Sequence, residues 1–270
     1  MSVKERADVA LVRRGLADSR EKAQAQIMAG LVFAGLRKIQ KASDTVAEEE
    51  ALSVRGSVLP FVSRGGLKLE KALDTFCADI NGVVAMDIGA ATGGFTDVLL
   101  KRGAAHVYAI DVGYGQLDWE LRNHAKVTVM ERTNARYLKP EHFDKRPVLT
   151  VMDVSFISIR LILPVAAGIM GESGQFYTLI KPQFEAGRDR VGKKGVVRDP
   201  AVHQAVLEEI VDFAPGFGYQ VRGLTFSPIT GPEGNVEFLA HVAPIRGDMP
   251  EISRENIKKI VEEAHFTLKK

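Results

Sequence analysis

Only one cysteine, Cys77, occurs in the 270 residues. A disulfide framework is therefore excluded, as is a cysteine-rich zinc site, and a reducing, cytoplasmic setting is expected. The six histidines show no HExxH or other ligand spacing, so no metal is expected. Long apolar runs are missing too. The richest stretch, Leu161 to Met170, is too short to span a bilayer, and no membrane partner is expected. The first residues include Lys4, Glu5, Arg6 and Asp8 without an apolar stretch, so no secretory leader is expected. Internal repeats and low-complexity segments are absent. A composition of 46% hydrophobic and 26% charged residues excludes disordered, collagen-like and fibrous classes.

What is present is unevenly distributed. The formal net charge is +2, yet residues 1–41 carry +5 and the remainder −3. A basic front end on a near-neutral body points to an acidic partner such as nucleic acid. Residues 1–55 read as a small module. Arg6 to Gly15 is a short helix with Val9, Leu11 and Val12 apolar. Ser19 caps a second helix with an apolar stripe of Ala23, Ile27 and Met28, ended by Gly30. Leu31–Phe33 and Leu52–Val54 are strand-like, with a polar stretch from Arg37 to Thr45 between them. Residues 56–62, punctuated by Gly56 and Pro60, form a linker to a domain over residues 63–270.

In that domain short apolar strands alternate with helices. The strands are Val83–Met86, Val107–Ile110, Val127–Met130, Val148–Met152 and Phe176–Ile180. The helices include Gly66–Phe76, Phe95–Arg102, Ile159–Ile169 and Val202–Phe213. Such alternation predicts a doubly wound α/β sheet with a buried parallel centre. Tyr219–Phe226 and Asn235–Val242 add an antiparallel terminal hairpin, and residues 252–268 an amphipathic helix through Ile257, Ile260, Val261, Ala264 and Leu268.

Asp87 ends the first strand and opens a glycine-rich turn, Gly89-Ala90-Ala91-Thr92-Gly93-Gly94-Phe95, at a helix N-terminus. Such a turn lets backbone approach a ligand and favours negative charge. The spacing is neither GxGxxG nor a Walker A loop. Asp111 ends the second strand, where an acid can hold ribose hydroxyls. On spacing alone a nicotinamide enzyme and a plain tight turn stay open. Four more charged residues occupy apolar surroundings: Lys68 before the first strand, Asp153 and Lys181 at strand C-termini, and Glu237 within the last strand. Each needs a partner or a function. Strand C-termini are the ligand edge of an open α/β sheet.

Three resemblances build on these residues. Asp8 to Val46 resembles the small α+β RNA-binding domain named after ribosomal protein S-four. Arg13, Arg14, Ser19, Arg20, Lys22 and Lys38 match its RNA-facing positions, while Ala34-Gly35 departs from its usual Asn-Gly turn. Asp87-x-Gly-x-x-x-Gly-Gly-Phe95 with Asp111 resembles the S-adenosylmethionine loop of Rossmann-like class I methyltransferases, with Asn134 at the adenine position. Lys68, Asp153, Lys181 and Glu237 match the Lys-Asp-Lys-Glu tetrad of ribose 2′-O-methyltransferases.

With Ser63-Arg-Gly-Gly-Leu-Lys68, Asp153-Val-Ser-Phe-Ile-Ser158, Lys181-Pro-Gln-Phe-Glu185 and Gly231-Pro-Glu-Gly-Asn-Val-Glu237, the chain resembles the TlyA family over residues 4–242. That family, once labelled haemolysin, methylates ribosomal RNA. The resemblance implies S-adenosylmethionine as cofactor, ribosomal RNA or ribosomal subunits as partner, and a cytidine ribose as target. A C-terminal extension such as residues 252–268 accompanies activity on both subunits in the family. Leu59-Pro60-Phe61-Val62 departs from the Arg- and Trp-containing linker of some members.

Lys181 is expected at the reacting hydroxyl, as base or as charge stabiliser. Phe156 is expected to stack on a base or to pack in the core. The basic loop Gly187–Arg198 suits phosphate contact. The competing functions are an exocyclic-amine methyltransferase, a non-catalytic RNA-binding protein and a haemolysin. Asp153-Val-Ser-Phe156 lacks both prolines of the Asp-Pro-Pro-Tyr motif, the intact tetrad opposes a relic, and no lytic segment is present.

Overall fold

A computed structural model of the chain describes residues 4–55, 59–247 and 252–268. Two compact units meet in sequence at Pro60 and Phe61, inside the expected linker; of that linker, residues 56–58 lie outside the described residues.

The first unit holds β1 (Lys4–Arg6), α1 (Ala7–Arg13), α2 (Arg20–Met28), β2 (Val32–Ala34), β3 (Arg37–Lys38), β4 (Thr45–Ala47) and β5 (Leu52–Val54). β1 pairs with β4, and β2 lies between β3 and β5, all antiparallel. The Ser19 side chain accepts the Lys22 N–H at 3.2 Å, which fixes the start of α2. The burial differs from the expected stripes. Ala7, Ala10 and Leu11 enter the core, Val12 packs against it only partly buried, Val9 is also only partly buried, and Met28 is 86% exposed. The reason is Asp8. It is fully buried, so α1 is rotated to deliver its carboxylate to Arg6 (3.0 Å), Arg20 (3.0 Å) and Gln24 (3.1 Å). The pairings of β1, β3 and β4 fall in or near stretches that carry too few apolar residues to read as strands.

The second unit holds α3 (Gly66–Thr75), β6 (Val84–Ile88), α4 (Gly94–Lys101), β7 (His106–Ile110), α5 (Trp119–Arg122), β8 (Val127–Met130), β9 (Leu149–Met152), α6 (Leu163–Met170), β10 (Gln175–Ile180), α7 (Pro182–Glu185), α8 (Pro200–Phe213), β11 (Tyr219–Phe226), β12 (Phe238–Pro244) and α9 (Arg254–Leu268). One sheet runs in the order β11-β12-β10-β9-β6-β7-β8. β8, β7, β6, β9 and β10 are parallel, and β12 is antiparallel to both β10 and β11. This is the predicted Rossmann-like sheet with its antiparallel terminal hairpin. Alternation along β10 shows why both faces are covered. Phe176 and Ile180 join the core with α6, α8 and α9, while Tyr177 and Leu179 join the core with α3 and α4. The strand order reverses between β6 and β9, and such a reversal opens a crevice at the strand C-termini.

Two boundaries shift. The expected helix Ile159–Ile169 is a 3₁₀ turn, Ile159–Leu161, followed by α6 with Pro164 in its first turn. Proline lacks the N–H that a continuous helix needs there. Glu237 precedes β12 rather than lying within it. Residues 232–234 form a 3₁₀ turn, and Asn235 is occupied by the Val197 N–H (3.2 Å) and the Gly195 carbonyl (3.1 Å).

Candidate active site

The chain leaves β6 through Gly89 and enters α4 at Gly94. Gly89 and Gly93 have φ of +86° and +93°, where a side chain is strained. A Cβ on Gly89 would stand 2.6 Å from the Asp153 carbonyl oxygen, so the turn and the end of β9 approach as closely as backbone allows. Beyond β7, Asp111 Oδ1 accepts the Gly113 N–H at 2.7 Å, and Oδ2 accepts the Ala91 N–H at 2.9 Å. The carboxylate thus ties the glycine turn to the loop after β7. Between them lies a cavity of about 350 Å³, within the usual size of a small-molecule site. Ile88, Ile110, Ala135, Ile157 and Ile162 make apolar walls, and Asp111, Asn134 and Asp153 supply polar edges. Among the described residues, no lysine or arginine lines it.

Asp87 does not border the cavity. It is buried beneath the turn and accepts the Thr96 hydroxyl at 2.6 Å. Burial pushes its carboxyl up to about 7; Thr96 opposes the rise, and the neighbouring charges of Asp153 and Asp111 add to it. Phe95 packs into the core beside α3, Gly94 sits against Ser63 and Gly66, and Thr92 lies on the turn. The Asn134 side chain accepts the Arg136 N–H at 3.0 Å, so it caps a short turn as well as lining the cavity.

The four charged residues converge at the sheet edge. Lys68 Nζ lies 2.6 Å from Glu237 Oε2 and 3.5 Å from Asp153 Oδ2. Lys181 Nζ lies 2.6 Å from Asp153 Oδ1, an ion pair outside hydrogen-bond angles, and donates to Ser155 Oγ at 2.9 Å. Lys68 and Lys181 are each 8% exposed and Glu237 is fully buried. The result is a chain Glu237–Lys68–Asp153–Lys181 of two cations and two carboxylates. Only Asp153 among them lines the cavity, so the chain hands its charge to the site at one point. Such pairing offsets the cost of burying four charges. Chemically, the array can hold an oxygen nucleophile beside ammonium donors.

Phe156 is 91% exposed at φ +63°, with its ring centroid 5.0 Å from that of Phe184. It therefore stands at the rim rather than in the core. In the basic loop, Arg190 pairs with Glu209 at 2.9 Å. In the first unit, Arg14 donates to the Glu50 and Ala47 carbonyls at 2.6 and 2.9 Å, and Arg13 to Glu5 at 3.1 Å. Lys22 pairs with Asp18 at 2.6 Å, Arg20 holds Asp8, and Lys38 is exposed. Sequence reasoning missed Ser155. Its only signal was a hydroxyl two residues beyond Asp153. Among the described residues, no group of three or more His, Cys, Asp or Glu is arranged to hold a metal ion. No described helix is long and apolar enough to cross a membrane.

Residues 61–243 match the family described as FtsJ-like methyltransferase. The chain is 51% identical to YqxC of Bacillus subtilis, which carries an rRNA methyltransferase name, over 99% of this chain and 96% of that one. It is 46% identical to the 16S/23S rRNA (cytidine-2′-O)-methyltransferase TlyA of Mycobacterium tuberculosis, over 88% and 89% of the two chains. A solved structure from Streptococcus thermophilus, described as a hemolysin, superposes with a TM-score of 0.77 at 45% identity, over 100% of this chain and 98% of that one.

Proposed function

The chain belongs to the FtsJ-like methyltransferase family, in its TlyA branch, and on that premise we propose that it transfers a methyl group from S-adenosylmethionine to the 2′-hydroxyl of a cytidine ribose in ribosomal RNA. The observation that carries this reading is the Glu237–Lys68–Asp153–Lys181 chain, touching a cavity at Asp153. The cavity's donor set fits the cofactor. Asp111 offers its remaining lone pairs to a ribose diol, Asn134 and the apolar walls suit a purine, and Gly89 and Ala91 border the cavity on the side left for the methionine end. Carboxylates without a lining cation suit a sulfonium and poorly suit the pyrophosphate of a nicotinamide dinucleotide. The chemistry supplied when the cofactor is bound is a methyl group already activated on sulfur.

This chain's residues do the rest. As the oxygen takes the methyl group its proton passes to Asp153, the one member of the chain that borders the cavity, and Lys181 donates hydrogen bonds to the oxygen and stabilises the negative charge that this proton transfer develops on it. Asp153 aims Lys181, and Glu237 with Lys68 holds Asp153. An exocyclic amine develops positive charge as it attacks, and two adjacent ammonium groups oppose that. The basic first unit and Phe156 supply RNA contact, with Lys38 the least encumbered cation of the set. The test is methylation of ribosomal RNA by the full chain with labelled S-adenosylmethionine, followed by alkaline hydrolysis. An uncut linkage with the methyl on the sugar fragment supports the reading. A methyl on the base fragment overturns it in favour of amine methylation.

A further inference from the structure

Lys181 and Asp153 lie on separate loops, after β10 and after β9. Two side-chain staples join those loops. The first is Lys181 itself, reaching Asp153 and Ser155. The second lies four residues on, at the end of α7. There the Glu185 carboxylate accepts the Ser158 hydroxyl at 2.6 Å and the Ile159 N–H at 2.8 Å, with Arg160 Nε at 3.5 Å. Arg160 also donates to the Glu185 carbonyl at 3.0 Å. Between the staples stands a short arch, Ser155-Phe156-Ile157, with Phe156 at its apex in left-handed conformation. A bulky residue in that conformation stays put only when its surroundings hold it.

Glu185 is 5% exposed and does not line the cavity, so it is not needed for contact with a small ligand. A buried carboxylate is costly unless its partners repay the desolvation, and burial does push this carboxyl above its usual range, against Ser158, Ile159 and Arg160. A shorter or apolar residue would end α7 without that cost. From this geometry we infer that Glu185 is a positioning residue of the methyl-transfer site: it closes the Ser155–Ile157 arch and so fixes where Ser155 holds the Lys181 ammonium and where Phe156 stands. The inference rests on the methyl-transfer reading above.

The experiment compares full-length wild type, Glu185→Ala and Glu185→Gln in two arms. Hydrogen exchange reads the order of residues 153–160 without using activity. Exchange there is expected to be at least about tenfold faster in Glu185→Ala, with the glycine turn at 89–94 unchanged. Glu185→Gln, which keeps a carbonyl acceptor of the same reach, is expected to restore most of the protection. Single-turnover methyl transfer is expected to fall about 10- to 100-fold in Glu185→Ala, with S-adenosylmethionine affinity within about twofold of wild type, because misplacement rather than lost binding is at issue.

Wild-type exchange over 153–160 in both variants overturns the inference whatever the activity. So does a loosened arch with an unchanged transfer rate. If Glu185→Ala is loosened throughout, the comparison passes to Glu185→Gln. A partial, local loosening there with a partial rate loss supports the inference, and global loosening with a normal transfer rate removes it. A wild-type protein that methylates no RNA overturns the functional reading instead, and the exchange arm still decides whether Glu185 orders the arch.

Discussion

Two aspartates are buried with equal completeness in the two units. Asp8 is 0% exposed and Asp87 1% exposed. Asp8 has two guanidinium groups and an amide, and the Arg6 hydrogen bond leads in holding its carboxyl far below the usual range. Asp87 has a threonine and two like-charged neighbours, and burial drives it up to about 7. Burial alone therefore says little about a carboxylate; its partners decide. The first unit uses its cations to close its own small core. The second lines its cavity with Asp111 and Asp153 and, among the described residues, with no lysine or arginine, which suits a positively charged ligand.

The harshest way to break this contrast is to remove one carboxylate from each role. Asp153→Ala is expected to cut methyl transfer by about 10³-fold in a protein that still folds, with the second unit destabilised because Lys181 loses its counter-charge. Asp8→Ala is expected to leave the chemistry of a folded protein intact and to cost the first unit about 1–3 kcal/mol, because its charged hydrogen bonds are lost. Single-turnover rates and calorimetric unfolding read the two effects. Comparable rate losses in both variants would erase the distinction.

Next in size is ligand binding. Asp111→Ala is expected to weaken S-adenosylmethionine binding about 10- to 100-fold in calorimetry, since both the ribose acceptor and the tie to the Ala91 N–H are lost. Binding of a nicotinamide dinucleotide in preference would show the cavity has been misread.

Acid and base titrations sharpen the same contrast with opposite signs. The depressed Asp8 carboxyl stabilises the first unit above its unfolded value of 3.8, and that contribution is lost as pH falls below it. The raised Asp87 carboxyl behaves inversely. Its favourable contribution is full below 3.8 and is lost as pH rises through about 7. Asp87→Asn should therefore gain stability relative to wild type as pH rises between these limits, and Asp8→Asn should weaken, without abolishing, the acid dependence of the first unit, where Glu5, Asp18, Glu21, Asp44 and Glu50 are also depressed. Denaturant midpoints across pH 3 to 8 check both.

The smallest effect concerns RNA. Lys38→Glu is expected to weaken ribosomal RNA binding and lower the salt slope by about one. Arg20→Glu should do this and also destabilise the first unit, because it sets a second carboxylate against Asp8. An equal stability loss in both variants would mean that Arg20 is not tied to Asp8 in solution.

Much of the second unit was legible in its residues. Apolar strands bounded by Gly and Pro gave the sheet, and charges at strand C-termini gave the tetrad, because a lone lysine after Phe-Tyr-Thr-Leu-Ile has few structural excuses. The first unit was less legible. Asp8 reads as a solvated charge until Arg20 and Gln24, a helix away, are known to face it. Met28 sits at helical spacing with Ile27's neighbours yet points outward. Ser155 is a polar residue in a loop and Glu185 ends the short α7, and nothing local distinguishes them from residues that meet only water. Their roles arise from two strands lying side by side, which is information the sheet holds and a window of sequence does not.

The reversed direction of β12 has a temporal consequence. Because it runs against its neighbours, its first residues lie at the edge where the parallel strands end, and Glu237 meets Lys68 across 169 residues of chain. Contacts of such separation close late in folding. During synthesis Lys68, Asp153 and Lys181 all emerge before their last partner does. The half-built sheet therefore holds Lys68 beside Asp153 but without its nearer and fully buried partner, which arrives only when the hairpin of β11 and β12 docks.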